Sequence, residues 1–432
     1  MKIKNTIFLI LFIIILTLIT FRSSSVSTYI FYPKSTLGSH LFAIESIDTM
    51  KFSRDLARDK LYDKSFDKVI DTQMKLIAET GATHVAIATP YDEEFILILT
   101  RWVKSARAHN LSVWFRGNFS GWENWFNYSK ISRDVHKKML KSFITSHSNL
   151  FADGDVFTPC PECENGGPGD PRQTGDRKGY NSFLVDEYKI ATDSFNSIHK
   201  SVTLYTSMNG DIARDIIDEK TAKALGGVIL IDHYVNSAKK FSNDITTIGK
   251  KLNAKIGLGE FGGPILDLNG SMNQTEQAEY VESLLDALYA NGSQIPAVNY
   301  WTLRGGSTAL LSENGTPREA YYTVQSYFNA PKIYGTISDP LGDRIEGVTI
   351  KVTDTTYTSK SEEDGIYKVF LPSSYRQILI EKEGYKTVSL DFENNLASTT
   401  EKNIVLEPEG PSLWYEFKIF LHSIRGKLFI NS

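Results

Sequence analysis

From about Leu37 to Phe328 the chain repeats one pattern: a short β-branched run, a loop carrying Gly, Asn or aromatic residues, then a stretch of helical length with apolar positions three and four apart. The pattern predicts strands at Leu41 to Ile44, Thr83 to Thr89, Leu111 to Phe115, Val156 to Thr158, Val202 to Thr206, Val228 to Ile231, Lys255 to Leu258 and Ala297 to Tyr300. Between them the spacing predicts helices, among them Phe66 to Glu79, Glu93 to His109, Tyr180 to His199 and Gln274 to Ala290. Strands that alternate with helices argue for a parallel sheet. Eight such units over about 290 residues match the size of a (β/α)8 TIM barrel. The main rival, a doubly wound open sheet, lacks its Gly-rich phosphate loop after the first strand.

After Asn329 the pattern changes. Short alternating runs, Val348 to Val352, Tyr367 to Leu371 and Ile378 to Glu381, are separated by turn pairs such as Asp364-Gly365 and Glu383-Gly384, which reads as a small all-β sandwich. The motifs Tyr334-Gly335-Thr336-Ile337, Gly347-Val348-Thr349-Ile350, Asp364-Gly365-Ile366-Tyr367 and Gly384-Tyr385 resemble the carboxypeptidase regulatory-like domain. That resemblance implies an accessory module without catalysis. A Glu-Pro-Glu-Gly-Pro linker then leads to a tail with Leu413, Phe417, Phe420, Leu421, Ile424 and Leu428 at helical spacing. Packing on its own protein is the favoured reading of that stripe, and a membrane-surface helix is the alternative.

The N-terminus bears on the compartment. Lys2 and Lys4 precede an apolar run from Ile7 to Ile19, interrupted by Thr17 alone, the charge-then-hydrophobe order of an export signal. No clear small-x-small cleavage site follows, so an uncleaved anchor is favoured over a cleaved signal, with the protein outside the cytoplasm in either case. The chain thus divides into a signal anchor and linker (1–35), a barrel (36–330), a β-sandwich (331–408), and a linker with an amphipathic tail (409–432).

Composition narrows the function. The 432 residues are 41% hydrophobic and 23% charged, ordinary for a globular protein with a sizeable core. A net charge of -4, with basic residues scattered among acidic ones, offers no face to neutralise phosphates and argues against nucleic acid as a partner. Cys160 and Cys163 are the sole cysteines, and two thiols fall short of the four ligands of a structural zinc site. In an oxidising compartment they either close a short disulfide or stay free. No cofactor or metal is expected, since neither a His-Glu-x-x-His motif nor a carboxylate-rich calcium loop occurs.

A TIM barrel keeps its active site at the C-terminal ends of its strands. Two carboxylate positions stand out there. Glu260 lies among glycines in Gly257-Leu258-Gly259-Glu260-Phe261-Gly262-Gly263, at the end of the seventh strand. Glu162 and Glu164 follow the fourth strand in Pro159-Cys160-Pro161-Glu162-Cys163-Glu164-Asn165-Gly166. Glycoside hydrolysis requires one carboxyl to protonate the leaving oxygen and another, ionised, to attack or to activate water, and carboxylates converging from different strands suit it. Glu162 is preferred because it is nearer the strand, with Glu164 as the alternative.

The sequence Gly259-Glu260-Phe261-Gly262, followed by Asn299-Tyr300-Trp301 and Gly315-Thr316-Pro317-Arg318, resembles the clan A glycoside hydrolases, especially the cellulase and mannanase-like families. The resemblance implies a retaining enzyme that cleaves β-linked polysaccharide or oligosaccharide, with Glu260 as nucleophile and Glu162 as acid/base. It also implies that Trp301 is a sugar-stacking platform and that His233 or Tyr234 lies near the nucleophile. The clan usually places Asn immediately before the acid/base, whereas Pro161 stands there in this chain and Asn165 follows Glu164, so the choice between the two glutamates stays open. Arg116, Asn118 and Trp122, with Trp125, form a polar-aromatic cluster expected to line further sugar subsites, and Asn209 is a weaker candidate. The competing function is a non-catalytic carbohydrate-binding protein of the cell surface built on the same barrel.

Because the positive residues precede the apolar run, the Lys side is expected to stay inside the cell and the barrel outside. Fractionation should find the full chain in the membrane pellet and open to external protease, whereas a soluble cytosolic product would refute the anchor.

Overall fold

The computed structural model describes residues 40–420 apart from 52, 292–293, 356, 373–374, 376, 394–397, 411–414 and 417. The expected signal anchor therefore lies outside the described residues, as do all the apolar tail positions except Phe420. Among the described residues no helix is long and apolar enough to cross a membrane.

One parallel sheet carries the first part of the fold. Its strands are β1 (Ile44–Asp48), β2 (His84–Ile87), β3 (Ser112–Phe115), β4 (Val156–Phe157), β5 (Thr203–Leu204), β6 (Thr206–Asn209), β7 (Val228–Asp232), β8 (Lys255–Phe261) and β9 (Ala297–Tyr300). Their order is β5-β4-β3-β2-β1-β9-β8-β7-β6. The two ends of that order, β5 and β6, are pieces of one strand interrupted at Tyr205. β5 pairs with β4 and β6 with β7, so the sheet closes on itself as an eight-position barrel.

Helices cover the barrel where amphipathic spacing predicts them. Phe66–Glu79 and Gln274–Ala290 match the expected bounds, and the second is started by a capping box between Asn273 and Glu276. Ala238–Leu252 buries Phe241, Ile245, Ile248 and Leu252, one per turn, and Asn253 closes it in the left-handed conformation.

Inside the barrel the strands alternate with a period of two. Ile44, Ala86, Trp114, Val156, Tyr205, Leu230 and Ala297 form an apolar cluster of their own, separate from the main core between sheet and helices. Two or four residues further along the same strands come Asp48, Arg116, Asp232 and Trp301, so the lumen turns polar toward the C-terminal end.

Three strands differ most from expectation; the fifth, expected at Val202 to Thr206, is split at Tyr205 and runs on to Asn209. The first runs from Ile44 to Asp48 instead of Leu41 to Ile44, because its second half is polar where it faces the upper lumen and the apolar signal sits before it. The seventh barrel strand, β8, continues through Glu260 to Phe261, with register irregularities against both neighbours.

The second part of the fold is two small sheets packed as a sandwich. In the first, β10 (Lys332–Ser338) pairs antiparallel with β13 (Ile366–Phe370) and parallel with β16 (Thr399–Glu401) and β17 (Ile404–Val405). In the second, β11 (Thr349–Val352), β12 (Thr358–Lys360), β14 (Gln377–Glu381) and β15 (Val388–Asp391) are all antiparallel.

Tyrosines join the sandwich to the barrel. Tyr289, at the end of the Gln274–Ala290 helix, stacks on Tyr357 with ring centroids 4.1 Å apart and donates its hydroxyl proton to the Phe370 carbonyl. Tyr327 from the last barrel helix and Tyr375 from the sandwich both donate to Asp286. Tyr289 is wholly buried, so truncating it opens a cavity at the junction. Tyr289→Ala is expected to cost about 3–5 kcal/mol and Tyr289→Phe about 1 kcal/mol, both measurable by urea denaturation of the full chain.

Candidate active site

The polar end of the lumen opens into a cleft of about 320 Å³, lined among others by Asp48, Arg54, Glu123, Trp125, Glu162, Asn165, Glu260 and Trp301. Larger hollows of about 510 and 650 Å³ lie elsewhere. The first is lined from the N-terminal ends of β7 and β8, and neither lining contains Glu162, Glu164 or Glu260.

Arg116 follows β3 and is buried beneath the cleft. Its guanidinium donates to Glu260 Oε1 at 3.0 Å and to Asp232 Oδ2 at 3.0 Å, and lies 3.6 Å from Asp48 Oδ2. Burial works against its charge, but Asp232, Glu260 and Asp48 more than offset that and raise its pKa further. One cation cannot compensate three carboxylates, two of them buried and the third, Glu260, half-buried. Burial therefore pushes Asp48 up to about 7 and Asp232 well above the usual carboxylate range, with the neighbouring Glu260 charge adding to both and Arg116 opposing. The strand geometry permits this crowding only because Gly259 has no side chain: a Cβ there would sit 2.2 Å from Asp232 Oδ1.

Tyr234 completes the surroundings of Glu260. Its hydroxyl donates to Oε2 at 2.9 Å, and burial beside the Glu260 charge raises the phenol's pKa well above its ordinary value, so the proton stays on the tyrosine. Both Glu260 oxygens thus have donors. The Trp301 ring stands edge-on to Tyr234, with centroids 6.2 Å apart, and lines the cleft.

Across the cleft the loop after β4 holds both candidate partners in different surroundings. Glu162 lines the cleft, where burial and the charges of Glu260 and Glu164 push its carboxyl up to about 8. Its donor among the side chains is Asn165, Nδ2 to Oε2 at 3.1 Å. Glu164 is buried beside the strand instead. Its Oε2 accepts from the Tyr180 hydroxyl at 2.8 Å and its Oε1 from the Asn209 backbone N–H at 2.7 Å. Burial raises its pKa while those donors oppose the shift. Cys160 and Cys163 are joined in a disulfide, one of the two states left open by the sequence.

Several residues proposed from sequence to bind sugar occupy other places. Trp122 is buried, stacked on Phe183, with its indole N–H on the Cys163 carbonyl, and does not line the cleft. Asn118 reaches the cleft wall but is buried, its Oδ1 accepting from Phe119 N and facing His136 Nε2 at 2.8 Å. His233 is turned to Asp244 at 2.9 Å and stacked on Phe241; burial lowers its pKa, as in a satisfied core histidine. Asn209 supports Glu164 through its backbone. Trp122 is on the short helix Ser120–Glu123, which packs it against Phe183, while His233 directly follows β7 and turns to Asp244 on the next helix.

Asp48, Asp232, Glu123 and Asn165 were not singled out from sequence. Asp232 was detectable as a charged residue directly after an expected strand, whereas Asp48 lies four residues past the expected end of the first strand and was not. Glu123, which burial pushes up to about 7 against the opposing charge of Arg54, carries no comparable signal. Among the described residues no group of three or more His, Cys, Asp or Glu side chains is arranged to hold a metal ion.

The architecture is thus a TIM barrel with carboxylates gathered at its C-terminal face, followed by an all-β sandwich. Residues 332–407 match the family model of the carboxypeptidase regulatory-like domain, as the motifs there imply. No curated protein sequence matches the chain. The solved structures it is similar to include Bacteroides uniformis β-glucuronidase 2, at 12% identity and a TM-score of 0.44, covering 78% of this chain and 44% of that one. They also include the family 5 xyloglucanase from Paenibacillus pabuli, at 14% identity and a TM-score of 0.44, covering 60% and 90%. A third is the Ignisphaera aggregans GH53 catalytic domain, at 16% identity and a TM-score of 0.47, covering 67% and 96%. The chain spans less than half the length of that β-glucuronidase.

Removing the cation strands its partners: Arg116→Met is expected to destabilise the fold by about 3–5 kcal/mol at neutral pH. Urea denaturation should show part of that loss recovered at pH 5, where the uncompensated Asp48 and Asp232 take up protons more fully.

Proposed function

We propose that the protein is a retaining glycoside hydrolase acting on β-linked polysaccharide or oligosaccharide. The observation that carries this reading is the pair Glu162 and Glu260. Both line one cleft, Glu162 from the loop after β4 and Glu260 from β8, and their surroundings differ. Glu260 accepts from Arg116 and Tyr234, whereas burial and the neighbouring Glu260 and Glu164 charges push Glu162 up to about 8, which favours its protonated form. Carboxyls with such different environments take the two roles of glycoside hydrolysis. Glu260 attacks the anomeric carbon as a carboxylate while Glu162 gives its proton to the departing oxygen, and Glu162 then takes a proton from the water that releases the glycosyl-enzyme. Trp301, and Trp125 with the Arg54 guanidinium 4.4 Å from its ring centroid, offer aromatic surfaces for sugar rings. Glu164, with its two donors and no place on the cleft wall, fits a supporting role.

The reading includes export. The N-terminal charge and hydropathy order supports it, and so does the Cys160–Cys163 disulfide, because such bonds persist in oxidising compartments.

Glu260→Ala is expected to lose activity on every aryl β-glycoside and β-glucan or mannan tested. Glu162→Ala should keep first-step reaction with a dinitrophenyl glycoside, whose leaving group needs little protonation, and be rescued by azide with retained configuration, read by NMR. If Glu164→Ala shows that phenotype instead, the acid/base is Glu164; if no substrate is turned over by the intact protein, the non-catalytic binding reading replaces this one. The pH profile follows from the sign of the Glu162 shift: the acid must be protonated, so kcat/KM should fall as pH rises through about 8. An alkaline limb below pH 6 would contradict the assignment.

A further inference from the structure

The ladder that holds the fourth barrel strand ends early. β4 is two residues long, and its last support toward β3 is the Thr158 N–H on the Phe115 carbonyl at 3.0 Å. Glu162 lies four residues beyond that bond, in a loop, yet its carboxyl faces the cleft. Its backbone is in the left-handed region, at φ 43° and ψ 50°, which residues with a Cβ rarely adopt unless the surroundings impose it.

The surroundings that impose it are covalent. The disulfide Cys160–Cys163 closes a ring of four residues of which Glu162 is the third, and both cysteines are buried. The ring is seated on the barrel by three contacts: Trp122 Nε1 donates to the Cys163 carbonyl at 3.1 Å, Asn118 Nδ2 lies 3.6 Å from Cys160 Sγ, and the Glu162 N–H donates to the Ser207 carbonyl at 3.2 Å. Behind it, Gly166 and Gly167 lie so close to Trp122 that a Cβ on either would come within 2.4 Å of the indole.

We propose that the Cys160–Cys163 disulfide is a positioning element for Glu162, holding the turn that aims its carboxyl into the cleft, so that proton donation to the leaving group depends on the oxidised bond while the Glu260 side of the site does not. The inference rests on Glu162 being the acid/base. Reduction by a dithiol breaks the S–S bond. Two electrons and two protons pass to the Cys160 and Cys163 sulfurs, giving two thiols, and the dithiol closes to its own cyclic disulfide. The freed loop then relaxes from the left-handed turn, and Arg116 and Tyr234 keep their hold on Glu260.

The test compares 2,4-dinitrophenyl and phenyl β-glycosides as substrates of the full chain. One sample is the Cys160→Ala/Cys163→Ala variant and the other is the intact enzyme treated with dithiothreitol, with reduction verified by the mass of maleimide adducts. Folding is followed by near-UV circular dichroism and Tm. The expected result is a loss of about 10²-fold on the phenyl glycoside with less than about threefold on the dinitrophenyl glycoside, as for loss of a general acid. The alkaline limb of the pH profile should also move. Equal losses on both substrates, no loss on either, or unfolding of both samples would each overturn the proposal. Glu162→Gln is the control that separates it from the reading beneath it. If that variant hydrolyses the phenyl glycoside normally, the acid/base assignment has failed; if Glu162→Gln shows the leaving-group dependence and the disulfide-free samples do not, only the positioning role has failed.

Discussion

A single buried guanidinium organises the upper end of the barrel. Arg116 contacts carboxylates from β1, β7 and β8 while itself following β3, so four strand ends that are not all neighbours in the sheet are tied at one point. Taking such a charge out of water is costly, and the cost is tolerated only where several acceptors surround it. The arrangement is not fully satisfied: Arg116 Nε and Asp232 Oδ1 are buried without hydrogen-bond partners. A cluster of this kind adds little to net stability compared with apolar packing. What it does is hold Glu260 in one place, with a donor on each oxygen.

From that point the asymmetry of the cleft follows. The side belonging to β8 has the cation and the Tyr234 hydroxyl. The side belonging to β4 has burial, two neighbouring acids and one amide donor, and its glutamate is pushed up accordingly. The same contrast separates Glu162 from Glu164, two residues apart in the chain. Glu164 turns under the loop into a hydroxyl and a backbone N–H, while Glu162 turns over it toward open space. A backbone conformation, not a difference in residue type, decides which of two glutamates meets the cleft.

The lower half of the barrel and the sandwich provide the rigidity that the site requires. Apolar lumen residues fill the barrel below the charged layer, and the tyrosine junction around Tyr289 joins the sandwich to the helices Gln274–Ala290 and Glu319–Phe328. At the C-terminal face lie Arg116 Nε and Asp232 Oδ1, both buried without partners, and the left-handed Glu162, in the end of the architecture where function is usually housed.

Much of this was legible before the fold was known. Hydrophobic periodicity is a local property, so the alternation of strands and helices, the eight-unit count, the change to short β runs after Asn329 and the positions of Glu260, Tyr234 and Trp301 at strand ends could all be read from the chain. Tertiary structure alone decided the rest. Strand β1 escaped its expected bounds because lumen-facing Ser46 and Asp48 carry no apolar signal. Trp122 and His233 sit next to chemistry in sequence but face the helices. The cluster around Arg116 joins Asp48, Asp232 and Glu260, residues up to 212 positions apart, whose mutual repulsion and shared cation exist only once the barrel closes. Sequence pattern reports which face of an element is apolar; the direction of a single side chain past the end of a strand depends on backbone angles set by its neighbours in space.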